Sequence, residues 1–421
     1  MKEKKKVLVI ADSPLVPSGV GTQTKYMIEG LLKTGEYKFF CLAGAIKHRD
    51  YRLQKVEPWL DDWLIQPVDG YGNPEILRAI VRDYKPDVLW FMTDPRFYVW
   101  LWEMENEIRK SVPMVYYHVW DNYPYPKYNK LFYESTDVVC SISKVTDDIV
   151  RTVAPTVECV HIPHAVDTEI FKKSQDYHAL REFREHIVGT QKDKMIFFWN
   201  NRNARRKQSG SLIFWFKDFL DIVGHENACL VMHTEPHDPN GQDLVKIIEN
   251  LDLVEHNQVQ FSTDKLDPQH LSHLYSVADC TINISDAEGF GLSTLESLAC
   301  ETPIIVNMTG GLQEQVTDGE NYFGFGIEPS SKSIIGSQDV PYIYEDRING
   351  KEFVKKLVDF YNLSKSQREH LGALGRQHVL KNYGFEQFNK NWKKTMDNIV
   401  ETRGSWKNRK NFQSWYFGEI K

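Results

Sequence analysis

The chain has 421 residues, 41% hydrophobic and 26% charged, with a formal net charge of −7. That length exceeds one ordinary core, so two domains are expected, and the composition excludes a disordered chain. No apolar run approaches the ~20 residues that cross a bilayer, and the acidic balance argues against a broad nucleic-acid groove, which needs a basic excess. Met1–Lys6 is basic, but the apolar run behind it, Val7–Ala11, is too short for a signal peptide. The six cysteines are scattered with no C-x-x-C pair, which predicts reduced core thiols and a cytoplasmic protein.

Short β-branched runs alternate with helix-period segments, the pattern of parallel sheets with crossover helices. In the first half, strands are expected at Val7–Ala11, Lys38–Leu42, Asp87–Met92, Met114–His118 and Asp137–Ile142. Helices are expected at Thr22–Lys33, Pro74–Tyr84, Tyr98–Lys110 and Lys144–Val153. A second series of strands runs Met195–Trp199, Cys229–His233, Gln258–Phe261, Asp279–Ile282 and Pro303–Val306. Its helices are Ser209–Ile222, Gly241–Asn250, Asp267–Ser276 and Leu292–Ala299, and Phe385–Val400 reads as a long amphipathic helix. Pro163–Asp193 is polar and poorly periodic, so the junction is placed there. The expected division is a domain over 1–170, a linker over 171–193, a domain over 194–380, and a terminal helix and tail over 381–421. The fold class is α/β, two doubly wound domains whose strand C-terminal ends face each other across a cleft, where ligands bind.

The most informative stretch runs Asp286-Ala287-Glu288-Gly289-Phe290-Gly291-Leu292-Ser293-Thr294-Leu295-Glu296. It follows a strand, turns on glycines and opens a helix. Gly289 and Gly291 let backbone approach a ligand closely, and a helix start offers free N–H groups to an anion. Two carboxylates beside such a site, Glu288 and Glu296, suit the hydroxyl groups of a sugar and a ribose, which are donors. The plainer alternative is a helix N-terminus with a solvated Glu. Behind Met195–Trp199 comes Asn200-Asn201-Arg202-Asn203-Ala204-Arg205-Arg206-Lys207, by itself a basic surface turn. Ser18-Gly19-Val20-Gly21-Thr22 follows the first strand; it is no full G-x-G-x-x-G, which weighs against an oxidoreductase, and no kinase-type phosphate loop occurs. His118 ends a strand and opens the aromatic loop Val119-Trp120-Asp121-Asn122-Tyr123-Pro124-Tyr125. It is either a group facing the cleft or a structural histidine.

A Glu, seven residues and a second Glu, with G-F-G-L after the first, resembles the signature of retaining glycosyltransferases of family 4 with the GT-B fold. The resemblance implies two Rossmann-like domains, a C-terminal helix crossing back, and transfer of a hexose from a UDP- or GDP-sugar to a hydroxyl acceptor on a glycan, lipid-linked glycan or other biopolymer. Arg202 and Lys207 match the spacing at which the family holds the donor's diphosphate. With Glu288 at the sugar hydroxyls and His118 beside the sugar, they make the implied catalytic set. The implied donor cradle is Gly19 and Gly21, then Gly289, Phe290, Gly291, Leu292 and Thr294, with Glu296 on the ribose; Val20, Ser293 and Asp121 are lesser candidates. Arg202 and Lys207 are expected in a loop, so that removing either leaves folding nearly unaffected. His164 stands where the family usually carries Asn, in a segment read as a hinge.

No D-x-D motif occurs, so neither a metal nor any other cofactor is expected; the two cations and the helix dipole take the metal's place. A nucleotide-sugar epimerase of the same fold and a non-catalytic sugar-nucleotide binder are the rival readings. A binder is expected to have lost one of Glu288, Lys207 or Arg202, and all three are present. The basic, aromatic tail after Glu401 (Arg403, Trp406, Lys407, Arg409, Lys410, Trp415, Tyr416) suits contact with a peripheral membrane surface, a glycan or a modified nucleic acid, or a strap on the first domain, and the strap is favoured.

Overall fold

The structure is a computed structural model that describes residues 3–121, 125–189, 191 and 193–415. The chain divides into two compact units. One comprises Met1–Ala165, Ser337–Pro341 and Phe385–Lys421, the other Val166–Gly336 and Tyr342–Gly384.

The first unit holds an eight-stranded sheet of β1 (Lys5–Asp12), β2 (Tyr37–Gly44), β3 (Gln54–Val56), β4 (Leu60–Pro67), β5 (Val88–Met92), β6 (Met114–His118), β7 (Val138–Ser141) and β8 (Glu158–His161). Their order is β3-β4-β2-β1-β5-β6-β7-β8, parallel throughout except for the antiparallel β3–β4 pair. Strands β5 and β6 are buried along their whole length, as central strands covered on both faces must be. The helix after β1 runs Gly19–Leu32, because the Ser18 hydroxyl accepts the Gly21 N–H (2.9 Å) and caps it. Gly19, Val20 and Gly21 therefore form its first turn rather than a turn ahead of it. A Cβ on Gly21 would stand 2.6 Å from the Ser13 carbonyl oxygen, so only glycine fits. The expected helix Tyr98–Lys110 is broken into Pro95–Tyr98, Val99–Glu103 and Glu105–Arg109. The buried Tyr98 hydroxyl is held by the Ile10 and Met92 carbonyls.

Helix Phe385–Arg403 packs on this sheet. Trp392 lies edge-on to Trp90 and Tyr117, at 5.9 and 5.0 Å between ring centres. Asp397 accepts from Lys5 (2.5 Å), Lys393 (2.7 Å) and the Tyr37 hydroxyl. The tail then runs back along the unit. Arg409 (2.7 Å) and Arg109 (3.1 Å) both pair with the buried Asp137, which also takes the Met114 N–H (2.9 Å). Phe412 lies against both guanidiniums, at 4.8 and 5.4 Å. Trp415 donates its indole N–H to Glu105 (3.0 Å). Tyr416 and Asn122, Tyr123 and Pro124 lie outside the described residues.

The second unit holds six parallel strands, β9 (Met195–Asn200), β10 (Ala228–His233), β11 (Val259–Ser262), β12 (Cys280–Asn283), β13 (Ile304–Asn307) and β14 (Gly324–Ile327), in the order β11-β10-β9-β12-β13-β14. The chain winds outward one way from β9 and the other way from β12, so these two neighbours flank the switch point where such sheets bind ligands. An antiparallel hairpin, β15 (Ser331–Ile335) and β16 (Ile343–Arg347), follows. Part of the stretch read as a linker is helix Tyr177–Val188 of this unit; among its residues Ile187 and Val188 alone are buried, too few for a readable apolar stripe. All six cysteines are buried and free. No described helix is long and apolar enough to cross a membrane.

Candidate active site

At the switch point of the second unit, Cys280 and Thr281 of β12 pair with Phe197 and Phe198 of β9, so the loops leaving both strands emerge side by side. The β9 loop is stiffened by Asn203, whose amide donates to the carbonyls of Pro236 (3.2 Å) and Gln242 (2.6 Å). It ends in the turn Arg205–Lys207, and the Asp286 N–H closes onto the Arg206 carbonyl (2.8 Å), locking the two loops together.

Gly291 makes the β12 loop possible. Its φ of +92° lies in the left-handed region, and a Cβ there would come within 2.6 Å of Leu312 Cδ2. Gln315 holds the loop by donating to the carbonyls of Phe290 (2.7 Å) and Gly291 (3.1 Å) while accepting the Thr294 hydroxyl (2.7 Å). From the β13 loop, the Gly311 N–H donates to the Glu288 carbonyl (3.0 Å). Helix Leu292–Ala299 starts with the Leu295 N–H on the Gly291 carbonyl (3.2 Å), so the amides of Leu292, Ser293 and Thr294 have no acceptor inside the helix. Phe290 packs its ring on Tyr383, and the Thr294 hydroxyl is committed to Gln315 and Gly291. Both residues therefore offer a ligand only backbone.

The Lys207 ammonium lies against the Glu288 carboxylate, and their side chains are only 9% and 12% exposed. Arg206 donates to the Ala287 carbonyl (2.5 Å) and stands 3.9 Å from Glu288 Oε2. Burial opposes ionisation of Glu288, but Lys207 and Arg206 outweigh it and hold the carboxyl down at about 2. Glu296 is the opposite case. Burial pushes its carboxyl up to about 7, although the Tyr275 hydroxyl donates to it at 2.8 Å. One helix start thus carries a firmly ionised carboxylate and one that titrates near neutrality. Behind them, the buried Glu345 pairs with Arg205 and Arg347, and Asp286 takes Gln208 (2.6 Å) and Arg347 (3.1 Å). These struts tie β16 to the loop. Among the described residues no group of three or more His, Cys, Asp or Glu side chains is placed to hold a metal ion.

Sequence reasoning assigned Arg202 the partner role to Lys207. Its guanidinium is 65% exposed and paired with Asp238 at 2.6 Å, while Arg206, given no role in the sequence, reaches Glu288. Lys207 is not a loose loop residue either: it is buried in a turn, so its removal is expected to cost stability. Within the first unit, His118 is fully buried with Nε2 on the Tyr133 hydroxyl (2.7 Å), and burial pushes its imidazole down to about 3, so it is neutral. Asp121 is half-buried beside it in sequence. His164 is buried with Nδ1 on the Tyr117 hydroxyl (2.9 Å), and the boundary between the units falls after Ala165 in the same segment.

Residues 185–370 match the family model described as glycosyl transferases group 1. This segment is similar to the group 1 glycosyltransferases. It contains every residue of the Lys207–Glu288–Glu296 cluster. A curated relative of the chain is the N-acetyl-alpha-D-glucosaminyl L-malate synthase of Bacillus anthracis, 23% identical over 56% of this chain and 58% of that protein. The chain thus spans less than two thirds of that relative's length. Among solved structures, sucrose-phosphate synthase from Thermosynechococcus elongatus superposes with a TM-score of 0.74 at 16% identity, covering 94% of this chain and 100% of that one. Anabaena Alr3699/HepE in complex with UDP and glucose gives 0.67 at 14% identity, again covering 94% and 100%. These likenesses show the GT-B fold.

Proposed function

We propose that the chain is a retaining glycosyltransferase that moves a hexose from a nucleotide-diphosphate sugar to a hydroxyl acceptor without a metal. The observation that carries this reading is the Lys207–Glu288 pair at the open start of helix Leu292–Ala299. A diphosphate arriving there meets the amides of Leu292, Ser293 and Thr294 and two cations, Lys207 and Arg206. Charge developing on the departing phosphate is then stabilised by groups already in place. Glu288, held ionised, accepts sugar hydroxyls, and Glu296 accepts those of the ribose. The donor is a UDP- or GDP-sugar in this reading, and the buried, unpaired cysteines support a reducing, cytoplasmic setting.

The test of donor binding is a thermal-shift screen with UDP-, GDP- and ADP-sugars, in which one donor is expected to raise the melting temperature. Stereochemistry tests the transfer. Double displacement needs a carboxylate behind the anomeric carbon, whereas same-face attack needs only leaving-group stabilisation. Proton NMR of the first product from an α-linked donor is expected to show an α-linkage; a β-linked product overturns the retaining assignment.

Activity is expected to survive EDTA, because cations of the chain take the charge of the diphosphate. Loss on chelation with recovery on adding Mg²⁺ or Mn²⁺ would refute metal independence.

Glu296→Gln is expected to weaken binding of the free nucleoside diphosphate, whereas Glu288→Gln mainly slows transfer. A ribose hydroxyl donates about twice as strongly to an ionised carboxylate as to a protonated carboxyl. With the Glu296 carboxyl at about 7, wild-type affinity falls as pH is lowered from 8 to 6, and the Gln variant loses that slope. Calorimetry at several pH values decides it; an unchanged affinity in Glu296→Gln removes the ribose role.

A further inference from the structure

We infer that Tyr275, itself aligned by Asn200, is a positioning residue that turns the Glu296 carboxylate so that one oxygen is held inside the protein and the other is presented to the nucleotide's ribose. This rests on the assignment of Glu296 to the ribose given above, and adds to it two residues that no sequence motif marks.

The three groups come from three elements: Asn200 from the end of β9, Tyr275 from helix Pro268–Val277 ahead of β12, and Glu296 from the helix after it. The Asn200 amide donates to the Tyr275 hydroxyl at 2.9 Å, and that hydroxyl donates to Glu296 Oε2 at 2.8 Å. The phenol is fully buried and wedged edge-on to Phe198, at 5.1 Å, and Phe171, at 6.2 Å, so it has one orientation. Its backbone is fixed as well, since the Thr302 hydroxyl donates to the Tyr275 carbonyl at 2.6 Å.

Proton accounting gives the relay its direction. A phenol has one hydrogen to donate and can accept, whereas an amide NH₂ only donates. With Asn200 supplying its NH₂, the Tyr275 hydrogen is committed to Glu296. The carboxylate is anchored through Oε2, and Oε1 is left to accept from a ligand. Were Asn200 replaced by an acceptor, the phenol's hydrogen would be drawn away and the anchor lost. A hydrogen bond to a charged carboxylate is roughly twice as strong as one between neutral groups, enough to set the orientation of a buried acid.

The test is calorimetry of the full chain with uridine and guanosine diphosphates, each beside its 2′-deoxy and 3′-deoxy counterpart. The wild type is expected to prefer the ribonucleotide over at least one deoxy form by ~10-fold, the scale of one such bond. Tyr275→Phe, which keeps the ring, and Asn200→Asp, which reverses the relay, are each expected to cut that preference at least ~5-fold while deoxynucleotide affinity moves less than ~2-fold. A purely structural role would weaken ribo and deoxy forms equally, and that result overturns the inference. So does a preference that Glu296→Gln abolishes and Tyr275→Phe leaves intact. A wild type that shows no ribose preference removes the ribose assignment, and the relay with it.

Discussion

Replacing Lys207 with alanine is expected to lower turnover by at least ~100-fold, the scale for losing a charge stabiliser of a transition state. Lys207 is the cation in direct contact with Glu288, and its buried ammonium has no freedom to be replaced by solvent. Stability should fall too. In the wild type, Lys207 and Arg206 keep the Glu288 carboxyl at about 2, below its ordinary 4.5, so ionised Glu288 contributes stability above pH 4.5 that is lost as pH falls through about 2. Without Lys207, burial prevails and the carboxyl rises, which removes most of that contribution. The double variant Lys207→Ala with Glu288→Gln separates the effects. Its melting temperature should recover toward wild type, because no half-buried charge is left orphaned, while turnover stays low. Wild-type-like rates in Lys207→Ala would take the residue out of the mechanism. Arg202→Ala should cost less, since Arg202 must first leave Asp238 to help, and Arg206 already stands by Glu288.

Asp137→Ala is expected to destabilise the first unit by ~3–5 kcal/mol, the usual loss when one member of a buried ionic group is removed. Asp137 is 2% exposed and neutralises Arg409, 7% exposed, and Arg109, 15% exposed, besides holding the Met114 N–H at the start of β6. Removing it takes the carboxylate from Arg409, leaves Arg109 with Glu105, and orphans a backbone donor at once. At about 2–4 °C per kcal/mol, melting should fall on the order of 10 °C. Arg409→Ala should cost less, because Arg109 still pairs with the acid. A melting temperature for Asp137→Ala within 1 °C of wild type would show that the tail is only loosely held.

How much was legible in the sequence follows from where the information sits. Strands β5, β6 and β9 read correctly because they are almost continuous apolar runs buried along their length. Strand β4 was missed because Asp61, Asp62 and Gln66 interrupt its apolar residues, and β14 because Gly324 and Gly326 mimic a turn. The Glu288–Glu296 segment was legible since its glycines and carboxylates lie together in the chain. Arg206 was not: three consecutive basic residues look like surface until Asp286 is seen bonded to the turn. Tyr275, Asn200 and Gln315 carry no local mark, because each acts on residues 21 or more positions away, or across helices.

The discontinuity of the first unit also bears on how the protein is made. Its sheet is complete by Ala165, yet the helix that covers Trp90 and Tyr117 begins at Phe385, after the whole second unit has been translated. During synthesis the nascent sheet is therefore exposed on one aromatic face, with Asp137 lacking Arg409, while the second unit emerges and packs. Chaperone engagement should concentrate in that interval. Substitutions in helix Phe385–Arg403 would be felt in a sheet whose strands were translated more than two hundred residues earlier.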